Sequence, residues 1–261
     1  MTSAQGAIAA AAERLWYAQC DSAPIPPVTS WYPELNVESA YEVQGINLRR
    51  QLSAGAHLVG RKVGLTSEPM QTLLGVNEPD FGYILDSMIV GTDTVEIERF
   101  CAPRVEPEIA FLLSRPLRGP RVDIEDVYAA TEFVAVALEV VDSRIADWKL
   151  TLPDTVADNA SSGAVVLGEW VPYSAGLNLS QMVATLELNG EQIDTGVGRA
   201  VMGDPAAAVA WLANTLAHFD TELTHGQFVM SGAFTAAARV SRGDVVTAEI
   251  SGLGAASLAF R

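Results

Sequence analysis

The run Arg104-Val-Glu-Pro-Glu-Ile-Ala-Phe-Leu-Leu113, read together with Phe133-Val-Ala-Val-Ala-Leu-Glu-Val-Val141, decides how this chain folds. Both stretches are short, apolar and rich in β-branched or aromatic residues, the composition of strands covered on both sides. Three acids interrupt them: Glu106, Glu108 and Glu139. Strand side chains alternate between faces, so Glu106 and Glu108 point the same way. A Glu-x-Glu pair on the wet face of an edge strand ordinarily means solubility alone. Glu139 changes that, because Phe133 to Val141 is apolar on both faces except at this position. An ionised carboxylate buried by itself is costly, so it is protonated, paired or bound to a metal. Neighbouring carboxylates repel one another unless a cation sits among them. Oxygen donors without cysteine and with little histidine favour Mg²⁺ or Mn²⁺ over Zn²⁺. The three glutamates therefore predict an all-carboxylate divalent metal site.

Outward from these strands the texture is of short apolar runs divided by Gly, Pro, Asp and Asn. Strands are expected at Leu58 to Val63, Thr94 to Ile97, Val105 to Leu113, Phe133 to Val141 and Gly163 to Leu167. Further strands are expected at Val183 to Leu188, Phe228 to Ser231 and Val245 to Ile250, with Asn189-Gly190 as a hairpin turn. Residues 5 to 20 have helix-forming composition and end before Pro24, Pro26 and Pro27. Residues 37 to 53 read as a second helix, with Val37, Tyr41, Leu48 and Leu52 spaced for one buried face. Helices are also expected at Ile124 to Thr131 and at Ala206 to His218, the latter capped by Asp204 before Pro205. Strands dominate without regular helix alternation. The expected class is α+β, a mixed β-roll or barrel-like sheet with an N-terminal helical segment, divided as residues 1–57 and a catalytic unit at 58–261.

Acidic residues outnumber basic ones by 32 to 16, a formal charge of −16. That field repels nucleic acid and anionic membrane, and no basic stripe reverses it. An anionic substrate would need local positive charge from a metal, Lys or Arg. No stretch has the length of a membrane span. The Ala-rich start lacks a basic leader and is broken by Glu13 and Arg14, so no signal peptide is expected. Two cysteines, Cys20 and Cys101, make neither a disulfide framework nor a metal pair, which points to a reduced, cytoplasmic protein.

Gly196-Val-Gly198-Arg-Ala-Val-Met-Gly203 looks glycine-rich, but its third glycine is misplaced for a dinucleotide loop. No Gly-x-Ser-x-Gly elbow and no phosphate-binding Gly-Lys-Ser/Thr loop occurs. His57, His218 and His225 show no ligand spacing. The second informative segment is Val59-Gly-Arg-Lys-Val-Gly-Leu-Thr66, where alternation sends Arg61 and Lys62 to opposite faces. Downstream, Gly75-Val-Asn-Glu-Pro-Asp-Phe-Gly82 is turn-rich and holds Asp80 between proline and an aromatic ring.

On these residues the chain resembles the 2-hydroxypenta-2,4-dienoate (2-keto-4-pentenoate) hydratases of aromatic and steroid meta-cleavage pathways, in the hydratase and decarboxylase branch of the fumarylacetoacetate-hydrolase-like superfamily. The resemblance runs over nearly the full length. It rests on Gly60-Arg-Lys-Val-Gly-Leu-Thr66, Gly75 to Gly82, Pro103-Arg-Val-Glu-Pro-Glu-Ile-Ala110 and Ala137-Leu-Glu-Val-Val-Asp-Ser-Arg-Ile-Ala-Asp-Trp148. Asp154-Thr-Val-Ala-Asp-Asn-Ala-Ser161 and Pro205 through Asn214 extend it. It implies a mixed β-roll, Mg²⁺ or Mn²⁺ on Glu106, Glu108 and Glu139, and Lys62 and Asp80 as an acid–base pair. Beside a metal, Lys62 is expected to have a lowered pKa. Arg61, Thr66, Asp158, Ser161 and Thr235 are the expected contacts to substrate or water.

The implied reaction is hydration of a 2-hydroxy-2,4-dienoate, penta- or hexadienoate, to a 4-hydroxy-2-oxo acid. A 4-oxalocrotonate decarboxylase uses the same electron sink and differs in needing a cation, such as Arg61 or Arg144, for a second carboxylate. A third reading is a non-catalytic partner that stabilises a pathway enzyme, with the metal serving structure. Homo-oligomerisation and an aldolase acting downstream are the expected partnerships.

Overall fold

The structure, a computed structural model, describes residues 4–91 and 94–261; residues 1–3 and 92–93, which fall inside the two expected domains, lie outside it. Seven α-helices are described: α1 Ala4–Cys20, α2 Val28–Trp31, α3 Val37–Ser53, α4 Glu68–Leu74, α5 Ile124–Ala130, α6 Leu152–Ala157 and α7 Pro205–Leu216. The first strands are β1 Leu58–Gly64, β2 Asp80–Leu85, β3 Thr94–Val95, β4 Arg104–Leu113, β5 Thr131–Val141 and β6 Ser162–Leu167. The rest are β7 Val171–Pro172, β8 Val183–Leu188, β9 Glu191–Val197, β10 Phe228–Met230, β11 Ala238–Arg239, β12 Val245–Ile250 and β13 Gly254–Phe260.

The strands form two open sheets rather than a closed barrel. The larger runs β2-β1-β10-β4-β5-β6, with β11 on β4 and β7 on β5; the smaller runs β3-β13-β12-β8-β9. Both are mixed, since β1 pairs with β10, and β13 with β3, in parallel while their other neighbours are antiparallel. The smaller sheet and α7 cover one face of the larger through a core that includes Ile109, Phe111, Val136, Leu138, Val209, Leu212, Val246 and Leu258. That face presents the odd-numbered residues of β4 and the even-numbered residues of β5. The opposite face carries the acids.

Local chemistry explains most element ends. Asn36 and Ser39 exchange hydrogen bonds at the start of α3, and the Asp204 carboxylate accepts from Ala206 N–H at 2.9 Å with Pro205 in the first turn of α7. Asn189 and Gly190 take φ of 55° and 81°, the left-handed pair a tight hairpin between β8 and β9 requires.

The expected face of α3 needs correction. The helix buries Ala40, Val43, Gln44 and Asn47; Leu52 is exposed, and Val37, Tyr41 and Leu48 are half-buried. The face is polar because its amides bind backbone: Gln44 Nε2 donates to Phe81 O and Val156 O, and Asn47 Nδ2 to Ala12 O, each at 3.0 Å. The N-terminal helices share one core with later residues, including Ile145, Leu152, Val156 and Ala157. Thus α1 and α3 clamp α6 and, through Gln44, the edge strand β2.

Candidate active site

Antiparallel register sets Glu106 of β4 directly opposite Glu139 of β5, and Glu108 opposite Ala137 one step along the same face. Each of the three glutamates offers a carboxylate oxygen within 4.8 Å of the others. Glu108 and Glu139 have no solvent exposure, while Glu106 is half-buried at the rim. Parallel pairing of β1 with β10 brings Lys62 to the same face, opposite Met230, and the antiparallel edge strand sets Gly82 and Asp80 beside Lys62 and Gly64. All five expected catalytic and metal residues therefore project from one face of one sheet.

Hydrogen bonding is incomplete at this cluster. Gly232 N–H donates to Glu108 Oε2 at 2.7 Å, but Glu108 Oε1, both Glu139 oxygens and Asp80 Oδ1 are buried without a hydrogen bond. The Lys62 ammonium lies 3.4 Å from Glu139 Oε2 and donates to Ala160 O at 2.9 Å. Buried acceptors are normally satisfied. These oxygens share a face and outnumber the cations near them.

Burial, followed by the charge on Glu139, pushes Glu106 up to about 8, and the same causes with Glu106 added hold Glu108 well above the carboxylate range. Burial also raises Asp80; Lys62 opposes the rise and Glu139 adds to it. Lys62 is raised in the metal-free protein. Burial alone would lower it, but Glu139, Asp80, Glu106 and Glu108 together outweigh burial and hold it above its ordinary value. The expected depression concerns the site with a metal bound, whereas in the metal-free protein four carboxylates surround this amine. Their all-oxygen donor set, crowding and unbonded oxygens fit a divalent cation of the Mg²⁺ or Mn²⁺ type.

The remaining candidates separate. Thr66 is buried against Gly232, the residue whose N–H holds Glu108. Ser161 is buried, with its hydroxyl 3.2 Å from that of Thr155. Thr235 is half-buried and donates to Ala236 O at 3.2 Å. Asp158 is held by Arg144: its two oxygens accept from Arg144 N–H at 2.9 Å and Arg144 Nε at 2.6 Å. Arg61 leaves β1 on the face opposite Lys62, has no hydrogen bond or ion pair among the described residues, and is lowered to about 10 by burial alone. It therefore faces away from the carboxylate cluster, as strand alternation in the sequence predicts.

Two residues escaped the sequence reading. Ser231 is fully buried beside Gly232, with its hydroxyl unbonded. Asn159 accepts from Tyr83 N–H at 2.8 Å and donates to Tyr83 O at 3.0 Å, closing the free edge of β2. Its signal was asparagine, one of the few residue types other than glycine that tolerate a left-handed backbone.

A fold of two mixed sheets with N-terminal helices, carrying a buried carboxylate trio next to a lysine, defines the class. The pattern that describes the fumarylacetoacetate (FAA) hydrolase C-terminal family matches residues 59–260, and the chain belongs to that family. More particularly, it is 42% identical over 251 residues to a 2-keto-4-pentenoate hydratase of Paraburkholderia xenovorans (strain LB400), covering 96% of this chain and 93% of the relative. It is 41% identical to a 2-hydroxyhexa-2,4-dienoate hydratase of Comamonas testosteroni over 95% of each chain. Among solved structures, 4-oxalocrotonate decarboxylase from Pseudomonas putida G7, complexed with magnesium and adipate, superposes with a TM-score of 0.95 at 35% identity, covering 100% of this chain and 99% of that one.

Proposed function

We propose that this protein catalyses metal-dependent hydration of a short 2-hydroxy-2,4-dienoate to a 4-hydroxy-2-oxo acid, with Glu106, Glu108 and Glu139 as metal ligands. The observation that carries the reading is the glutamate trio beside Lys62 and Asp80, with Glu108 and Glu139 fully buried and carrying unbonded oxygens. The hydratase relatives and the magnesium of the superposed decarboxylase support it. A divalent cation held by Glu106, Glu108 and Glu139 would supply positive charge to attract the anionic substrate and stabilise negative charge developing on it.

Net addition of water requires four proton movements. The 2-hydroxyl proton leaves and one arrives at C5; water loses a proton as its oxygen joins C4, and C3 gains one. Asp80 Oδ1 and Lys62 Nζ are the groups assigned to carry these protons. Asp80, raised by burial, holds a proton to higher pH than an exposed aspartate. Lys62 spends one N–H on Ala160 O and faces Glu139 with a second, which leaves the third for substrate or water. Thr66, Ser161 and Thr235 are assigned to the substrate's surroundings.

Hydration is favoured over decarboxylation because a second substrate carboxylate needs its own cation. Among the described residues the buried cations are Arg61, Lys62 and Arg144. Arg144 is consumed by Asp158, Lys62 by Glu139 and Ala160, and Arg61 leaves from the other face. The product is a β-hydroxy ketone, the substrate form of a retro-aldol cleavage, so an aldolase is the fitting next enzyme in aromatic or steroid ring catabolism. We place the enzyme in the cytoplasm as a homo-oligomer, consistent with two free cysteines and no described helix long and apolar enough to cross a membrane.

The test is incubation with 2-hydroxypenta-2,4-dienoate and, separately, with 4-oxalocrotonate, following ultraviolet loss of the diene and release of CO₂. The reading expects Mg²⁺-dependent loss of the dienoate without CO₂. Faster CO₂ release from 4-oxalocrotonate, or dienoate turnover untouched by EDTA, would overturn it.

A further inference from the structure

The segment whose Ala160 carbonyl meets Lys62 is a turn of unusual backbone. Asn159, Ala160 and Ser161 take φ of 55°, 49° and 55°, three successive non-glycine residues in the left-handed region. L side chains avoid that region because Cβ crowds the following carbonyl, and a run of three persists only if its surroundings impose it. Two devices impose it here.

The first is Arg144, buried and fully engaged. Its Nε donates to Asp158 Oδ1 at 2.6 Å, its first terminal nitrogen to Asp142 O at 2.6 Å and Ser162 O at 2.9 Å, and its second to Asp158 O. These acceptors flank the turn on both sides, so one guanidinium pins its entry and its exit. Asp158 and Asp142 in return keep Arg144 firmly charged despite its burial. The second device is the Asn159 amide, which completes the edge of β2 by bonding both Tyr83 N–H and Tyr83 O. The turn is thereby tied to the strand that carries Asp80.

Between these ties the Ala160 carbonyl accepts from Lys62 Nζ at 2.9 Å. We propose that Arg144 and Asn159 are positioning residues for Lys62, holding the left-handed turn so that the Ala160 carbonyl fixes the ammonium over the glutamate cluster. A lysine stem is long and flexible, and carboxylates on one side alone would draw the ammonium onto them. The neutral carbonyl opposite sets its stand-off. When a cation takes up the charge of the glutamates, Coulomb attraction on Lys62 weakens, and the carbonyl is the anchor that keeps its hold.

The chain contains only two lysines, Lys62 and Lys149, and the Lys149 side chain is 78% exposed, which makes it an internal reference. The whole protein, wild type and Asn159→Ala, is treated briefly with acetic anhydride, and acetylation of Lys62 relative to Lys149 is read by peptide mass spectrometry. The expected result is at least a fivefold rise in that ratio, with Mn²⁺ affinity by electron paramagnetic resonance within threefold of wild type. The kinetic arm rests on the hydratase reading: kcat on 2-hydroxypenta-2,4-dienoate falls at least tenfold while KM stays within threefold. Should Asn159→Ala not fold, Asn159→Gly, which adopts the left-handed φ freely and lacks only the amide, carries the same expectations. An unchanged acetylation ratio in the folded variant overturns the positioning role whatever the substrate is. Unchanged kcat in an active enzyme overturns it as well. Absence of wild-type turnover with a raised ratio overturns the hydratase reading and leaves the anchor standing.

Discussion

Glu139 sits where two requirements conflict. It faces Glu106 directly across β4 and β5, and like charges in that position destabilise a sheet. Among the described residues only Lys62, at 3.4 Å, answers it. Replacing it by glutamine removes one charge without changing shape. It also leaves the buried Lys62 ammonium without its nearest carboxylate, so Glu139→Gln is expected to lower the melting temperature in EDTA relative to wild type, while Mn²⁺ affinity falls by at least about 10- to 100-fold, the range seen when even outer-shell partners are lost. A melting curve and a Mn²⁺ titration check the two halves; a variant that binds Mn²⁺ normally removes Glu139 from the ligand set. Lys62→Met tests the neighbouring role. It should lower kcat on the order of 100-fold or more, the size of a general acid–base contribution, with Mn²⁺ binding retained. At this scale the sequence was informative, since strand alternation alone aligned Glu106 with Glu108. It was silent on Asp158, because nothing in Asp154 to Ser161 reveals that Arg144, ten or more positions earlier, takes both carboxylate oxygens.

The elements that hold the site meet at Gly232, where the chain leaves β10. Its φ is 107°, a Cβ there would collide with the Thr66 side chain, and its N–H holds Glu108. Gly232→Ala thus meets backbone strain and a clash at once, and is expected to cost about 2 kcal/mol or more in stability by urea denaturation. A variant as stable as wild type would mean that β10 and Thr66 can shift apart. Elements with a dominant local signal were legible: β4, β5, the Asn189-Gly190 hairpin and the Asp204 cap all lie where composition put them. Four strands were not: β2, β13 and the two-residue β7 and β11. β2 begins at Asp80 within a stretch of turn residues, and β13 reads as Gly-Ala-Ala-Ser-Leu-Ala-Phe, poor in β-branched residues. Both are strands because their neighbours supply the ladder, β1 for β2 and β12 for β13, and such pairing has no local signature. The face of α3 was hidden for a related reason, since Gln44 and Asn47 are inside to satisfy carbonyls contributed by distant segments.

For the molecule as a whole, the cluster couples stability to both pH and metal. Glu106 is raised from 4.5 to about 8 in the folded protein, and Glu108 is raised as well. Between those limits the unfolded chain gives up protons that the metal-free folded chain still holds, so the folded state binds more of them. Stability of the metal-free protein then falls as pH rises through this window, and is recovered below about 4.5 only as far as these two groups are concerned. A divalent cation reverses the dependence locally, because it binds the ionised carboxylates and competes with protons for them. The melting temperature in Mg²⁺ minus that in EDTA is accordingly expected to be small near pH 5 and to widen steadily towards pH 8. Thermal melts at matched ionic strength across that range measure it directly. A difference that is constant with pH would mean that the glutamates are already ionised in the metal-free fold. A difference of zero throughout, at saturating Mg²⁺, would mean that the carboxylates do not hold the ion at all.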